Sequence, residues 1–385
     1  MKKLKFLVHY SKFNLGGAEQ SNLRMMNSLI KDGHKVDIVL EVAGGSLEKR
    51  LDKNINIIYL QKKSYAELIF KSKKKLFVFF NFVIYILPLI FSKIKKSIIL
   101  KSMQKKNYDI GIIGLQGLNS SFIANSNCKY KFHWIRNDLK HCDPTGRVKE
   151  NIQKSADKID HFACVSETAY ESFLEIFPNL KQKALIFYNF INKDEMLKKS
   201  LLDNPLINYK KYDFKIVSVC RMTDKAKGIF RMFEVYSKLR EDGYFFYWFL
   251  LGDGEDKNKL QKLVKEKGYD DGFVLLGQSD NPFPCYKDAD LVAVLSYYEG
   301  LCGVINEAKV IGKPVICTMF SGVNEQIMNN INGLIVYNNT EAIYNGLKDI
   351  LDNKDCLKSI TNNILSEAIL NDDAKIDVFR KLFNK

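Results

Sequence analysis

The sequence predicts an α/β protein built as two Rossmann-like, doubly wound domains facing a central cleft. Three observations predict it. The chain has 385 residues, more than the roughly 100 to 200 of one domain. Apolar runs of strand length alternate with helix-period segments, the signature of a parallel sheet. The alternation then restarts after a polar stretch at 192–213. Hydrophobic residues at 46% and charged residues at 27%, with only 7 Pro and 22 Gly, exclude a disordered polymer and a collagen-like fibre.

Residues 4–9 are a short apolar run, broken at Asn14-Leu15-Gly16-Gly17. Leu23, Met26, Leu29 and Ile30 then recur at helical spacing until Gly33, and 35–42 is β-branched as a strand buried on both faces should be. Further strands are expected at 55–60, 110–114 and 161–166. After the polar stretch come strand 214–220, helix 229–241, strand 244–251, helix 258–267, strands 272–276 and 290–296, helix 304–311 and strand 314–317. The expected division is 1–195, 196–362 and a C-terminal helix within 363–385 that packs back toward the first domain.

The eight cysteines, at 128, 142, 164, 220, 285, 302, 317 and 356, form no Cys-x-x-Cys pair and no histidine stands at metal-ligand spacing. They read as reduced core thiols of a cytoplasmic protein. The apolar part of the N-terminus, 6–8, is interrupted by His9 and Lys12 and is too short for a signal-peptide core. The Lys-, Ile- and Asn-rich composition suggests a bacterial, AT-rich source.

With 59 Lys+Arg against 44 Asp+Glu, the net charge of +15 calls for an anionic partner. Its location narrows the choice. Segment 68–108 has no acidic residue and carries Lys71, Lys73, Lys74, Lys75, Lys93, Lys95, Lys96, Lys101, Lys105 and Lys106 around the apolar block 76–91. That block is shorter than the roughly 20 residues of a spanning helix, and a single crossing would part strands 55–60 and 110–114 of one sheet. The segment is therefore expected to lie in the plane of an anionic membrane surface, on the inner face of the cell membrane. A helix covering the sheet with a solvated lysine fringe is the alternative. Nucleic acid is excluded because the lysines flank an aliphatic, Phe-rich block instead of alternating with stacking aromatics and arginine.

In open α/β sheets the ligand sits at the carboxyl ends of the strands, so the loops there hold the candidate site. Gly16-Gly17 bares backbone N–H groups at a helix start, where a phosphate could approach, though such glycines also make ordinary turns. Arg221 to Gly228 places Arg221, Lys225 and Lys227 after the first strand of the second half, where they could meet a diphosphate or form a solvated surface loop. Gly252-Asp253-Gly254 is a turn that could line a base pocket. The loop Tyr297 to Ala308 is the most specific. It carries Glu299 and Glu307, expected about 10 Å apart, around the helix start Gly300-Leu301-Cys302-Gly303-Val304, where N–H groups favour bridging phosphates. The two glutamates read as hydroxyl acceptors, one for a ribose diol and one for a hexose; the alternative is a glutamate on the exposed face of a helix. Asp288-Ala289-Asp290 matches the Asp-x-Asp string of metal-dependent transferases, but it leads into a buried strand and is rejected as a metal site.

Together these segments resemble glycosyltransferase family 4, the retaining, nucleotide-sugar-dependent enzymes of the GT-B fold. The matching features are Gly16-Gly17-Ala18-Glu19, Val165-Ser166-Glu167, Asn189, Arg221 to Gly228, Gly252-Asp253-Gly254, Leu276-Gly277, and Glu299 to Glu307 as the family's Glu-x7-Glu. The resemblance implies an acceptor-binding N-terminal domain and a donor site in the C-terminal one. Arg221 and Lys227 would meet the diphosphate, Glu299 the transferred sugar and Glu307 the ribose, with Gly16, Gly17, Gly252, Gly277, Gly300, Leu301, Gly303 and Val304 around the nucleotide sugar. It implies a hexose or N-acetylhexosamine donor linked to UDP or GDP, a lipid-linked or surface-polysaccharide acceptor, and no metal or cofactor. One departure stands out. His133-Trp134-Ile135-Arg136 puts Arg136 where many relatives carry a histidine after Trp-Ile, and His133 three positions earlier. The alternatives are an epimerase or phosphorylase on the same frame, and a catalytically silent partner in a glycan-assembly complex.

Overall fold

A computed structural model of the chain describes residues 2–61, 94–143, 145–360 and 365–383. It divides into two compact units, 1–190 with 372–385, and 191–371. The division falls five residues before the boundary expected at 195/196 and nine after the one expected at 362/363. Phe190 and Ile191 are both buried, so the chain changes unit before its polar stretch begins, and composition marks the passage late.

The first unit is a seven-stranded sheet in the order β3-β2-β1-β4-β5-β6-β7. Its strands are β1 Lys5–Tyr10, β2 Lys35–Leu40, β3 Asn56–Tyr59, β4 Tyr108–Ile113, β5 Cys128–Ile135, β6 His161–Cys164 and β7 Ala184–Ile186. All pairings are parallel, with Val8 opposite Ile38 on one side and Ile112 on the other. Five successive buried residues in β1 are what two covered faces demand. Helix α1, Gly17–Lys31, buries Leu23, Met26 and Leu29, and the chain leaves it through Gly33 at positive φ. The C-terminal helix Asp372–Lys381 also belongs to this unit. Its Phe379 ring lies 5.3 Å from those of Phe6, Phe132 and Phe187.

The second unit is a six-stranded parallel sheet in the order β10-β9-β8-β11-β12-β13. Its strands are β8 Lys215–Val219, β9 Tyr247–Leu251, β10 Phe273–Gly277, β11 Leu291–Val294, β12 Val315–Thr318 and β13 Leu334–Val336. Helices α2 Asp224–Lys227, α3 Ile229–Glu241, α4 Lys257–Glu266, α5 Gly303–Val310 and α6 Thr340–Asp352 complete the crossovers named below. One core runs through Ile216, Trp248, Leu250, Leu291 and Ile316 to Met232, Tyr236 and Leu347 on α3 and α6. In both sheets the strand order reverses beside the first strand, between β1 and β4 and between β8 and β11. A doubly wound sheet opens a crevice at that switch point.

Most of the basic apolar segment, 68–93, lies outside the described residues. Its end is a helix over 94–105 without an acidic residue, exposing Ile94 at 51% and Ile98 at 62%. Among the described residues no helix is long and apolar enough to cross a membrane. Lys96 on this helix pairs with Glu41, whose other oxygen lies 3.0 Å from His9 Nε2. Burial works against the Glu41 charge, but His9 and Lys96 outweigh it and hold the carboxyl down at about 2. The depressed value stabilises the fold above the ordinary carboxylate pKa of about 4.5, and the contribution, up to about 3 kcal/mol, is lost as pH falls from there toward 2. Thermal melts of wild type and Glu41→Gln should therefore differ at pH 6 and converge by pH 2; a constant difference would contradict the pairing.

Candidate functional site

The loops that follow β8 and β11 flank the switch point of the second sheet, and the structure joins them. Lys227, on the short helix Asp224–Lys227 after β8, forms an ion pair with Glu299 in the loop after β11. Ser296 Oγ, at the end of the β11 segment, donates to the same Glu299 oxygen at 2.7 Å. The Tyr297 N–H donates to the Ala226 carbonyl at 2.9 Å, tying one loop to the other. Burial disfavours the Lys227 ammonium, but Glu299 more than offsets it and the lysine's pKa is raised. Lys227 is thus a firmly charged cation at neutral pH. Because an ammonium has three N–H groups, it can hold Glu299 and still donate to a phosphate oxygen.

Arg221 stands at the start of the same loop, exposed, with no ion pair among the described residues. Lys225 is exposed as well. The loop's shape comes from its other residues. Asp224 Oδ1 accepts from the Phe230 N–H at 2.8 Å, and Asp256 Oδ2 accepts from the Asp224 N–H at 2.8 Å. Gly228 takes positive φ where the short helix ends and α3 begins. Arg231 on α3 is buried; its Nε donates to the Leu295 carbonyl at 3.2 Å and its guanidinium stacks 3.9 Å from the centre of the Tyr297 ring. Arg231 therefore serves the end of β11.

The loops after β9 and β10 close on the same place. Gly252 has φ +140°, and a Cβ on it would overlap the Cys220 carbonyl oxygen. Its N–H donates to the Gly277 carbonyl at 2.8 Å, and Gly277 is itself at positive φ. The Met222 N–H reaches the Asp253 carbonyl at 2.9 Å. Only main chain separates these three strand ends.

Helix α5 begins at Gly303, whose Cβ position is open space. Gly300, Leu301 and Cys302 are buried just before it, and Gly303 and Val304 are half-buried. Glu307 lies on the second turn, half-buried, and accepts from the Tyr286 hydroxyl at 3.2 Å. The sequence-predicted residues Arg221, Lys227, Gly252, Gly277, Glu299, Gly300, Leu301, Gly303, Val304 and Glu307 thus all belong to carboxyl-end loops of one sheet or the helix starting from one. Ser296 and Tyr286, which bond Glu299 and Glu307, and Arg231, which holds the end of β11, escaped the sequence reading; Ser296, immediately before the Tyr-Tyr-Glu-Gly loop, is the one with a positional signal.

Gly16 and Gly17 lie at the corresponding place in the first unit, after β1 at the start of α1. Gly16 caps that helix without a side-chain bond, and the Cβ position of Gly17 is open. Close by is Arg136, buried just past β5. It donates to Ser21 and Asn189, to Asn22 Oδ1 at 2.9 Å and to the Gly114 carbonyl at 3.4 Å. Burial lowers its pKa to about 10, with Tyr10 and Glu19 pulling the other way. His133 is elsewhere: fully buried within β5, 6.0 Å from the Phe162 ring, its pKa pushed by burial down to about 4. Strand alternation explains the difference, since His133 lies inside the paired register and Arg136 follows the last paired residue.

Asp288 and Asp290 precede β11, at the amino end of the sheet. Asp290 Oδ2 accepts from the Lys215 N–H at 2.8 Å, and Asp288 pairs with the Lys215 ammonium at 2.7 Å. Both carboxylates fasten β11 to β8.

Residues 206–366 match the family of glycosyl transferases group 1, a stretch contained in the second unit. The chain is similar to the N-acetylgalactosamine-N,N'-diacetylbacillosaminyl-diphospho-undecaprenol 4-alpha-N-acetylgalactosaminyltransferase of Campylobacter jejuni, 29% identical over 208 residues, 54% of either protein. The chain thus spans about half the length of that curated relative. Among solved structures it is similar to Anabaena HepE in complex with UDP and glucose, with 15% identity and a TM-score of 0.74 over 99% of this chain and 100% of that one. It is also similar to a glycosyltransferase from Rickettsia africae, with 21% identity and a TM-score of 0.68 over 100% of both. These likenesses establish the fold as GT-B, two Rossmann-like units with parallel sheets.

Proposed function

We propose that this chain, whose residues 206–366 are those of a group 1 glycosyl transferase, is a retaining glycosyltransferase. It transfers a hexose or N-acetylhexosamine from UDP or GDP to a lipid-linked or surface-polysaccharide glycan. The observation that carries this reading is the Lys227–Glu299 pair beside the exposed Arg221, at the switch point of the second sheet. Two cations there meet the charge that builds on the leaving diphosphate as the glycosidic bond breaks, the largest lever such a site has. Glu299 takes a hydroxyl of the transferred sugar and Glu307 the ribose diol. The start of α5, with its open Gly303, offers N–H groups to the phosphates. Gly16 and Gly17 bare N–H groups at the start of α1 in the first unit. The acid-base work of a hydrolase is not asked of either glutamate, and no metal or cofactor takes part.

The acceptor class follows from the Campylobacter relative, named for a diphospho-undecaprenol-linked substrate, and from the acid-free helix over 94–105 with Ile94 and Ile98 exposed among Lys95, Lys101 and Lys105. Lysines at an anionic surface contribute about 1 kcal/mol each, so the chain works as a peripheral protein at the inner face of the membrane. The test is release of free UDP or GDP from a panel of nucleotide sugars, with and without membrane extract. Release that requires the extract supports transfer; release without it points to a phosphorylase or hydrolase, and none with any donor contradicts the proposal. Flotation with vesicles should need anionic lipid; equal flotation on neutral vesicles would contradict the role of the lysines, and flotation with neither would remove the membrane part.

A further inference from the structure

The start of α5 is not held by its own residues. No side chain of its N-cap, Cys302, closes it; Gly303 is its first residue and Gly300 stands in the loop before it. The hold comes from the segment after β12. There Gln326, buried, presents its side-chain amide to the main-chain N–H and C=O of Cys302 as a neighbouring strand would. Its Oε1 accepts from the Cys302 N–H at 3.0 Å, and its Nε2 donates to the Cys302 carbonyl at 2.8 Å. The same Nε2 donates to Asn306 Oδ1, one turn into the helix, at 2.7 Å. Gln326 thus grips the helix start at two points about a turn apart.

Gln326 is fixed in turn. Lys309, buried on α5, donates its ammonium to the Gln326 carbonyl at 2.6 Å. Burial lowers that lysine's pKa to about 8, the mark of a cation set deep in the unit. Earlier in the same segment Gly322, at positive φ, comes so close to the Gly300 carbonyl oxygen that a Cβ on it would overlap that atom. The segment after β12 therefore bears on the loop at Gly300, at Cys302 and at Asn306.

We propose that Gln326 is a positioning residue of the donor site, fixing the two peptide groups that flank Cys302 so that the start of α5 and Glu307 are aligned for the nucleotide sugar before it binds. The inference rests on the donor-site reading above. It adds that the site's geometry is set by a side chain that does not itself touch the donor. One hydrogen bond to each of the two peptide groups that flank Cys302 fixes the backbone torsions there as well as its position, which a single bond does not.

The experiment compares wild type with Gln326→Asn, which keeps the amide but is one methylene too short to reach both Cys302 groups, and with Gln326→Met, which keeps the length and loses the amide. Melting temperature, UDP and GDP affinity by calorimetry, and KM for donor and acceptor are read for each. The expected result is a donor KM and nucleoside diphosphate Kd raised about tenfold or more in both variants, with acceptor KM unchanged and amide hydrogen exchange faster at 303–306. Nucleotide affinity and donor KM equal to wild type in a folded Gln326→Asn would overturn the proposal. So would equal rises in donor and acceptor KM, which a merely structural role predicts. Wild type that binds neither nucleotide would instead defeat the donor-site reading, which keeps the two failures apart.

Discussion

Replacing Lys227 with alanine should lower turnover by about 10²-fold, the range found when one preorganised donor to a developing anion is removed. The same change should cost stability, because Glu299 loses its cation in a largely buried place and keeps Ser296 as a partner. Stability and activity then have to be separated. In the double variant Lys227→Ala with Glu299→Gln, the unpaired carboxylate is gone, so the melting temperature should recover in part while turnover stays low. Arg221→Ala gives the cleaner comparison. That side chain is exposed, so stability should stay within about 0.5 kcal/mol of wild type, whereas turnover should fall by about tenfold or more, as the loss of one charge-assisted contact implies. Unchanged turnover in both single variants would refute the assignment.

Gly252→Ala should be the most destabilising change in the second unit. The residue's φ of +140° is open to glycine only, and the added methyl would overlap the carbonyl oxygen of Cys220, a main-chain atom that cannot swing aside. To admit it, the ends of β8 and β9 must part. That breaks the bonds from the Cys220 N–H to the Leu251 carbonyl and from the Gly252 N–H to the Gly277 carbonyl. A cost of about 4 kcal/mol corresponds to a fall of about 8–16 °C in melting temperature for a unit of this size. Gly303→Ala is the control, since nothing lies within 4 Å of its Cβ position. It should leave the melting temperature unchanged yet weaken nucleotide binding, because the methyl projects at the open helix start. Equal melting temperatures for the two alanine variants would show that the strand-end packing is misread.

The architecture was legible because parallel strands are buried on both faces. Runs such as Phe6-Leu7-Val8 and Val217-Ser218-Val219 announce themselves, and α3 was placed at its observed ends, Ile229–Glu241. The strands that escaped are those whose pattern is mixed. In β5, Lys129 and Lys131 interrupt the opening turn of the run, so only Phe132 to Ile135 reads as buried. In β7 and β13 only three residues pair, too few for a periodic signal. The candidate site was legible where chemistry and position coincide on one loop, as in Arg221 to Gly228 and Glu299 to Glu307. Its supports were not. Gln326 and Cys302 are 24 residues apart, and Arg136 and Ser21 are 115. No local period reports such pairs; the sheet order brings them together. The Lys227–Glu299 pair, 72 residues apart, shows the same limit, since each partner was picked out for a ligand and not for the other.

Calorimetric titration of UDP and GDP into the whole chain and into its Arg221→Ala variant tests the central claim most directly. The account predicts that one of the two nucleotides binds wild type at a single site, and binds the variant about tenfold more weakly at an unchanged melting temperature. Binding of neither nucleotide to wild type, or equal binding to both proteins, would contradict it.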